Sequence, residues 1–497
     1  MAQRSVCLTT LLVALFCTAS AQVITIRTAP VAQGDQFDIF PSQNRGMGGV
    51  SIAVTDSQLD PFANPAKAAR LGGSRFYGSP TLYSVSGNTG GGRTLPLAAF
   101  GRAGAWFGGL SVALQEVDAS RQQQPVFGFP CPECGRLDVS MADFGREEHA
   151  YGNTYAFATV GKTFPGSGLS VAGSVSWAGL KGVDGVDLLY TRSAGLRQRG
   201  RALDLRLGMT KELRGDRSLE ALIVHNRFDA THDVVYLDTF WNPATQQVEQ
   251  RPRLEPNADR TNVWGLHLEY ERPLTSTGWR IGWLATVNRV THPMTPHYDV
   301  MSIPGDRGHA SAFNVGVGLS RQRGPATFAV DLIYEPIRSQ TWAEAEAPTV
   351  AATGDTIRPG GRTVENDFRF SNALFRLGMS RDISRALGLQ LGLIVRDTHY
   401  WLAQYDNVTA LARNQEERWM EWTPTWGLSL RFPDMEIRYR GRVTHGTERP
   451  VQSSGCCFAG AERLVLTGNS IVPGVPRTTM ANVRVAMHQV SISLPLR

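Results

Sequence analysis

From about residue 74 onward, apolar side chains recur at every second position. Trp279, Ile281, Trp283, Ala285 and Val287 alternate with Arg280, Gly282, Leu284, Thr286 and Asn288. Met420, Trp422, Pro424, Trp426, Leu428 and Leu430 alternate with Glu421, Thr423, Thr425, Gly427, Ser429 and Arg431, and Met435, Ile437, Tyr439 and Val443 stand opposite Glu436, Arg438, Arg440, Arg442 and Thr444. Period two is the mark of a strand that meets different solvents on its two faces. Beyond the first twenty residues there is no run of about 18 apolar residues, the length a membrane helix needs. A membrane location therefore requires a closed barrel, in which every backbone group is paired between strands.

Alternation alone also fits a soluble sandwich, and the connections decide between them. Short turns (Pro165-Gly166-Ser167-Gly168, Arg214-Gly215-Asp216-Arg217, Thr275-Ser276-Thr277-Gly278, Pro433-Asp434) take strict turns with long polar loops at about 118–149, 181–198, 231–259, 293–308, 341–366, 403–417 and 446–480. Loops sorted by length onto two rims are a feature of outer-membrane barrels. Tyr400, Trp401, Trp419 and Trp422 flank a long loop while Trp279, Phe328 and Phe432 flank short turns, as two interfacial girdles require; plain enrichment of aromatics in strands is the alternative. The expected fold is all-β, a transmembrane antiparallel barrel of 14–16 strands. Sixteen is the direct count, and fourteen stays open because the first hairpin, around 74–101, is weakly patterned. A phase shift between Met487 and Val490 predicts a bulge in the last strand.

The beginning of the chain reads as a secretory signal peptide over residues 1–21. Arg4 supplies the positive charge, Leu8 to Phe16 the short apolar core, and Ala19-Ser20-Ala21 a small-residue cleavage site. Cys17 follows the bulky Phe16, unlike a lipoprotein cysteine, and belongs to the leader. The expected organisation is a leader, an N-terminal segment over 22–72 and a barrel over 73–497. The expected location is the outer membrane of a Gram-negative-type bacterium with both termini in the periplasm and lipid as the surrounding partner. A net charge of +6 spread over 497 residues, without Lys/Arg blocks, argues against nucleic acid as a partner.

The polar phase carries both signs of charge. Arg438, Arg440 and Arg442 form a basic ladder, and Asp331, Glu335, Glu269 and Glu271 lie on the inward phase of other strands. A hydrated lumen with mutually compensating charges is one reading; an anion-selective filter, with the arginines at a constriction, is the other.

A barrel of this size is too wide for its own side chains to fill, so water passes or something occupies the lumen. Residues 22–72 are the candidate occupant, a periplasmic tail being the alternative. In RGMGGVSIAVTDSQLDPFANPAKAARL, residues 45–71, Gly46, Gly48 and Gly49 permit close backbone packing or positive φ, and Pro65 holds Asn64 extended with its amide free. This run, from Gly46-Met47-Gly48-Gly49 through Ala53 and Asp56 to Asn64-Pro65-Ala66, resembles the N-terminal hatch of the FadL-like outer-membrane transporters of long-chain fatty acids and other hydrophobic compounds. The resemblance covers about 25 residues. It implies a 14-stranded barrel plugged by the hatch, a hydrophobic small-molecule ligand, apolar ligand pockets, and a lateral opening where a kink breaks one strand. Two features depart from that pattern: the higher strand count, and the ending Leu494-Pro495-Leu496-Arg497 without a terminal aromatic. Gly108-Gly109, in the third strand, is the candidate kink, with packing against the hatch as the alternative. Asn64-Pro65-Ala66-Lys67, with Lys in place of Gly, is also similar to the PorV-type members of the superfamily, which implies a shuttle or scaffold role with secretion components as partners.

Four cysteines remain after the leader: Cys131 and Cys134 in CPEC, and the adjacent Cys456 and Cys457. In an exported chain these predict disulfides between two loops or a local Cys131–Cys134 bridge ahead of a metal site. The chain carries no G-x-S-x-G, H-E-x-x-H or P-loop, and His292 and His297 sit in a Pro-rich loop without helical spacing. The expectation is a non-enzyme without cofactor or metal; a catalytic group assembled across strands would escape motif reading.

Overall fold

The computed structural model describes residues 27–118, 150–186, 195–292, 307–451 and 479–496, apart from positions 29, 33, 35, 88, 89, 185 and 275–277. The leader, and Cys131, Cys134, Cys456 and Cys457, lie outside the described residues.

The strands are β1 (Arg75–Gly78), β2 (Thr81–Val85), β3 (Gly91–Ala103), β4 (Trp106–Asp118), β5 (Ala150–Phe164), β6 (Leu169–Leu180), β7 (Gly195–Leu213), β8 (Arg217–Asn242), β9 (Gln247–Pro273), β10 (Trp279–Thr291), β11 (Arg307–Arg323), β12 (Ala326–Glu344), β13 (Thr349–Val350), β14 (Thr356–Ile357), β15 (Arg362–Asp382), β16 (Leu387–Asp406), β17 (Leu411–Phe432), β18 (Met435–Val451) and β19 (Thr479–Pro495). β13 and β14 form a hairpin of their own. All the others join one antiparallel sheet in chain order, closed where β19 pairs with β1 and β2.

β1 and β2 share one position in the ring. Gly78 faces Ile492 and Leu97, Thr81 faces Gln489 and Thr94, and the register runs straight across Ser79 and Pro80. The barrel thus has sixteen strands, and its first hairpin is formed. The interruption is chemical rather than geometric. The Ser79 N–H donates to the Pro96 carbonyl at 3.1 Å and the Val490 N–H to the Pro80 carbonyl at 3.0 Å, but neither proline has an N–H to return. The Thr81 hydroxyl donates to the Ser79 carbonyl at 3.0 Å, replacing one lost rung.

Alternation sorts the side chains as the sequence predicts. Leu110, Val112 and Leu114 are exposed while Ser111, Ala113 and Gln115 are buried; on β17 Met420, Trp422 and Leu428 are exposed while Glu421, Thr423, Thr425 and Ser429 are buried. Large apolar residues face outward on strands right round the ring, a belt for which lipid is the fitting solvent.

The short turns lie on one rim, with both ends of the barrel, since Arg75 pairs with Pro495 and Phe100 near the β3–β4 turn. Two of the expected long loops, 231–259 and 403–417, are instead strand. β8 and β9 pair up to Asn242–Gln247, and β16 and β17 up to Asp406–Leu411. Pro252 and Pro256 disguised the first of these. β10 reaches only Asn262 of β9, so the prolines lie on an edge, where proline is tolerated.

Three smaller expectations are corrected. Tyr400 points inward and is fully buried, with Trp419 packed against it, so only Trp401 and Trp422 of that group face outward. β19 keeps its register from Met487 to Val490; the bulge is on β18, between Thr444 and Thr447, at Gly446 with φ 79°. The apparent phase shift in β19 is a change of inner lining: Val483 and Val485 pack on Ala32, while Gln489 and Ser491 below them are polar. The β4 ladder is continuous through Gly108 and Gly109 on both sides, so no kink breaks the strand there. A side chain at Gly109 would collide with the Phe100 ring, which makes close packing the reason for that glycine.

Candidate functional site

The segment before β1 is organised by Asp56. Its carboxylate accepts from the Ser42 hydroxyl at 2.5 Å and from the N–H groups of Gln43 at 2.6 Å, Asn44 at 3.0 Å, Gln58 at 3.2 Å and Leu59 at 3.0 Å. The Asn44 amide donates to the carbonyls of Val50 at 3.0 Å and Thr55 at 3.2 Å. Charge-assisted bonds of this kind contribute about 1.5–3 kcal/mol each, which explains how a chain with so little regular structure holds one shape. Gly48 and Gly49 have φ of 69° and 64°, the left-handed region that glycine enters without strain. Asn64 is extended before Pro65 and accepts from the Ala66 N–H at 3.1 Å, capping the 3-10 turn Pro65–Arg70.

This segment touches inward-facing residues from β3 round to β19. The Gln36 carbonyl accepts from Gln115 of β4, the Ser51 N–H donates to Asp331 of β12 at 2.8 Å, and the Phe40 carbonyl accepts from Gln489 of β19 at 3.3 Å. A segment in contact with inner faces on opposite sides of a closed ring lies within it.

The wall receives it at glycines. Gly282 faces Gly318 across β10–β11 where Ile52 rests, and Gly378 faces Gly392 across β15–β16 where Met47 and Gly48 rest. Asn64 and Pro65 lie on Gly208, and Gly46 lies on Gly427. A Cβ at Gly318 would fall 2.6 Å from Cβ of Ile52. Beside these contacts the Thr425 hydroxyl accepts from the Gly48 N–H at 2.9 Å and donates to the Gly46 carbonyl at 3.0 Å. The predicted residues Gly46, Gly48, Asn64 and Pro65 therefore all meet the wall. Ala66 is buried in the cluster around Phe62, and a Cβ at Gly49 would meet nothing within 4 Å, so its role is conformational. The receiving glycines were missed from sequence, although glycine inside a strand is a signal of close backbone approach.

Ion pairs fix the rest. Lys67 lies 2.9 Å from Glu220 of β8 and 3.5 Å from Asp60, and Arg70 reaches Glu220 at 2.9 Å and Glu212 at 3.0 Å. Burial pushes the Asp60 carboxyl up to about 7, with Lys67 opposing. Burial would depress the Lys67 ammonium, but Asp60 and Glu220 outweigh it and hold it above the usual lysine range. Arg27 forms a two-pronged pair with Glu421 at 2.8 and 2.7 Å. Arg438, Arg440 and Arg442 lie on the inner face of β18, and each meets a polar partner. Arg438 pairs with Glu436 at 2.6 Å, Arg440 donates to Gln58 at 3.2 Å, and Arg442 to Asp38 at 3.2 Å. Arg440 and Arg442 thus hold the N-terminal segment, whereas Arg438 pairs within its own strand; Arg438 and Arg442 meet acidic partners and Arg440 a neutral amide.

The two largest buried apolar clusters among the described residues lie in the interior. Phe62 stacks on Phe40 at 4.2 Å between ring centroids and meets Phe100 at 5.1 Å and Phe157 at 5.0 Å, tying the segment to β3 and β5. Aromatic pairs of this kind are worth about 0.5–1.5 kcal/mol each beyond area burial. The second cluster (Ala310, Ala312, Ile337, Phe368, Phe370 and Tyr400 among its members) spans β11, β12, β15 and β16. On β15 it lies further toward the long-loop rim than the seat of Met47, since Phe370 and Phe368 come eight and ten residues before Gly378; at β18 the segment itself reaches that end, where Val31 bridges Glu448. The indole N–H of Trp419, packed on this cluster, has no acceptor among the described residues.

No family model and no curated protein matches the chain. Among solved structures it is similar to a Pseudomonas aeruginosa FadL homologue (10% identity, 94% of this chain, 100% of that one, TM-score 0.45). It is also similar to the Pseudomonas putida toluene transporter TodX (13%, 94% and 99%, 0.37) and to the FrpB iron transporter of Neisseria meningitidis (11%, 86% and 83%, 0.34). Likenesses this distant do not discriminate between functions, and the functional reading rests on the interior.

Proposed function

We propose that this chain is an outer-membrane barrel for passive uptake of hydrophobic small molecules, such as long-chain fatty acids, with residues 27–72 as a hatch that plugs the lumen. The observation that carries the reading is the inward-facing cluster around Phe368, Phe370 and Tyr400, on the long-loop side of the place where Met47 and Gly48 rest on the wall. A water channel gains nothing from an aromatic lining, whereas an apolar ligand captured at the loops gains burial there, at about 25 cal/mol per Å² removed from water. Movement past the hatch then requires the glycine contacts and ion pairs described above to give way in part. The short-turn rim, with both ends of the barrel, would face the periplasm.

The test is native mass spectrometry of the barrel purified in mild detergent, with extraction of what stays bound. A discrete fatty acid or other hydrophobe is the expected result. A barrel that is empty of small molecules and retains an exported protein or a secretion component would overturn uptake in favour of a PorV-type role. Lys67, the residue behind that second reading, faces Glu220 and Asp60 in the interior.

A further inference from the structure

The outer face of the barrel is hollowed at its seam. A cavity of about 750 Å³ opens where β19, β2, β3, β4 and β5 run side by side, at the seam that closes the ring. Its apolar lining includes Leu82, Leu95, Leu114 and Val490, which are exposed on the belt that meets lipid, together with the ring of Pro80. The volume falls in the range of small-molecule sites, about 300–1,000 Å³. The sequence explains the thin wall. Pro80 and Pro96 leave out one rung on each side of the first strand, and Gly152 in β5 puts no side chain into the space.

The cavity has a polar end. Arg93 and Glu116 face outward and pair across β3–β4 at 2.8 Å, and both line it, as does His488. Arg93 is two residues from Gly91, the long-loop end of β3, whereas Leu95 and Leu114 lie deeper toward the β3–β4 turn. The guanidinium is 65% exposed and held by Glu116 over the mouth, with donors left for a second anion.

We propose that this seam cavity is a binding site for one resident membrane lipid, its acyl chain along Leu95, Leu114 and Val490 and its phosphate headgroup on Arg93. In a bilayer a hollow on the lipid face is filled by hydrocarbon. The arginine at the long-loop end matches the headgroup level of an amphiphile seated with its chain toward the midplane. The site is on the outside of the wall and goes beyond the uptake reading; it stands whether or not the lumen carries a ligand.

The experiment places a photo-crosslinking benzoylphenylalanine at Leu114, and at Leu332 on β12 as a control. Leu332 is likewise exposed on the belt, eight strand positions round the ring. Each protein is irradiated in its native membrane and its adducts identified by mass spectrometry. The expected result is a single phosphate-bearing lipid on Leu114 at several-fold the yield seen at Leu332, with R93Q in the Leu114 background reducing that yield to the control level. Equal yields with the same lipid mixture at both positions would overturn the site, as would a Leu114 yield that ignores R93Q. Capture of a free hydrophobic ligand instead of a phospholipid would also overturn it, making the cavity part of a transport route. None of these three substitutions falls on a residue that contacts the segment before β1, so the outcome is independent of uptake.

Discussion

Gly378 and Gly392 stand directly opposite each other in the β15–β16 ladder, and the backbone of Met47 and Gly48 lies on the pair. Side chains on both would occupy the same space as that backbone. The strand backbone is held by ladder bonds on both sides, so the weaker partner, the N-terminal segment, must move. Overpacking of this kind costs about 1–3 kcal/mol. G378V/G392V should therefore leave a folded barrel with a displaced segment. Single-channel conductance in planar bilayers should rise from near closed to open, with heat-modifiable gel migration unchanged. Unchanged conductance in a folded double variant would remove the plugging role.

Asp56 collects five donors from within its own segment. Replacing it with alanine leaves several buried N–H groups without an acceptor, at about 1–3 kcal/mol each. D56A should make residues 42–59 sensitive to added protease in purified barrels, while the strands stay resistant. D56N keeps part of the acceptor capacity and should fall between. Equal protection of wild type and D56A would show that wall contacts alone order the segment.

The barrel was legible because alternation and turn chemistry are local: β17 can be read from Met420 to Leu430 without its neighbours. Boundaries were less so, because pairing beyond the membrane depends on the partner strand, as the β8–β9 extension with its prolines shows. Within the site, the residues with unusual backbone needs, Gly48 and Asn64, stood out in sequence. The receiving glycines did not. Gly282 and Gly318 are 36 positions apart and acquire meaning only when register sets them face to face under Ile52. The inner aromatics were misassigned for the same reason: Tyr400 and Trp401 are neighbours in sequence but occupy opposite sides of the wall.

The segment before β1 should hold differently at different pH. Burial raises Asp60 to about 7 from an ordinary 3.8, so between those values the docked state carries a proton that the undocked segment has lost. Its contribution is complete below about pH 3.8 and is lost as pH rises through about 7, on the order of a few kcal/mol. Hydrogen-exchange protection of residues 56–70 should fall between pH 5 and pH 8 in wild type. D60N, which keeps an acceptor for the Asp56 N–H and cannot titrate, should flatten the profile. Protection that rises with pH in wild type would contradict the assignment.

Ala312 faces Ile337 across β11–β12 and Ile337 faces Phe370 across β12–β15, so the smallest side chain in the row sits at the end of a continuous apolar lining. Ala312 is 2% exposed, so a larger group there must push its neighbours in the cluster toward the lumen, and no residue of the segment before β1 belongs to that cluster. A312F should cut uptake of a radiolabelled long-chain fatty acid into cells by roughly tenfold or more, about 1.4 kcal/mol per factor of ten, and lower ligand retention in native mass spectrometry in parallel. A polar substitution, F370N, should weaken retention without closing the space, because it leaves an amide facing an apolar chain. If A312F and F370N both retain ligand at the wild-type level, the cluster is wall packing and the route lies elsewhere in the lumen.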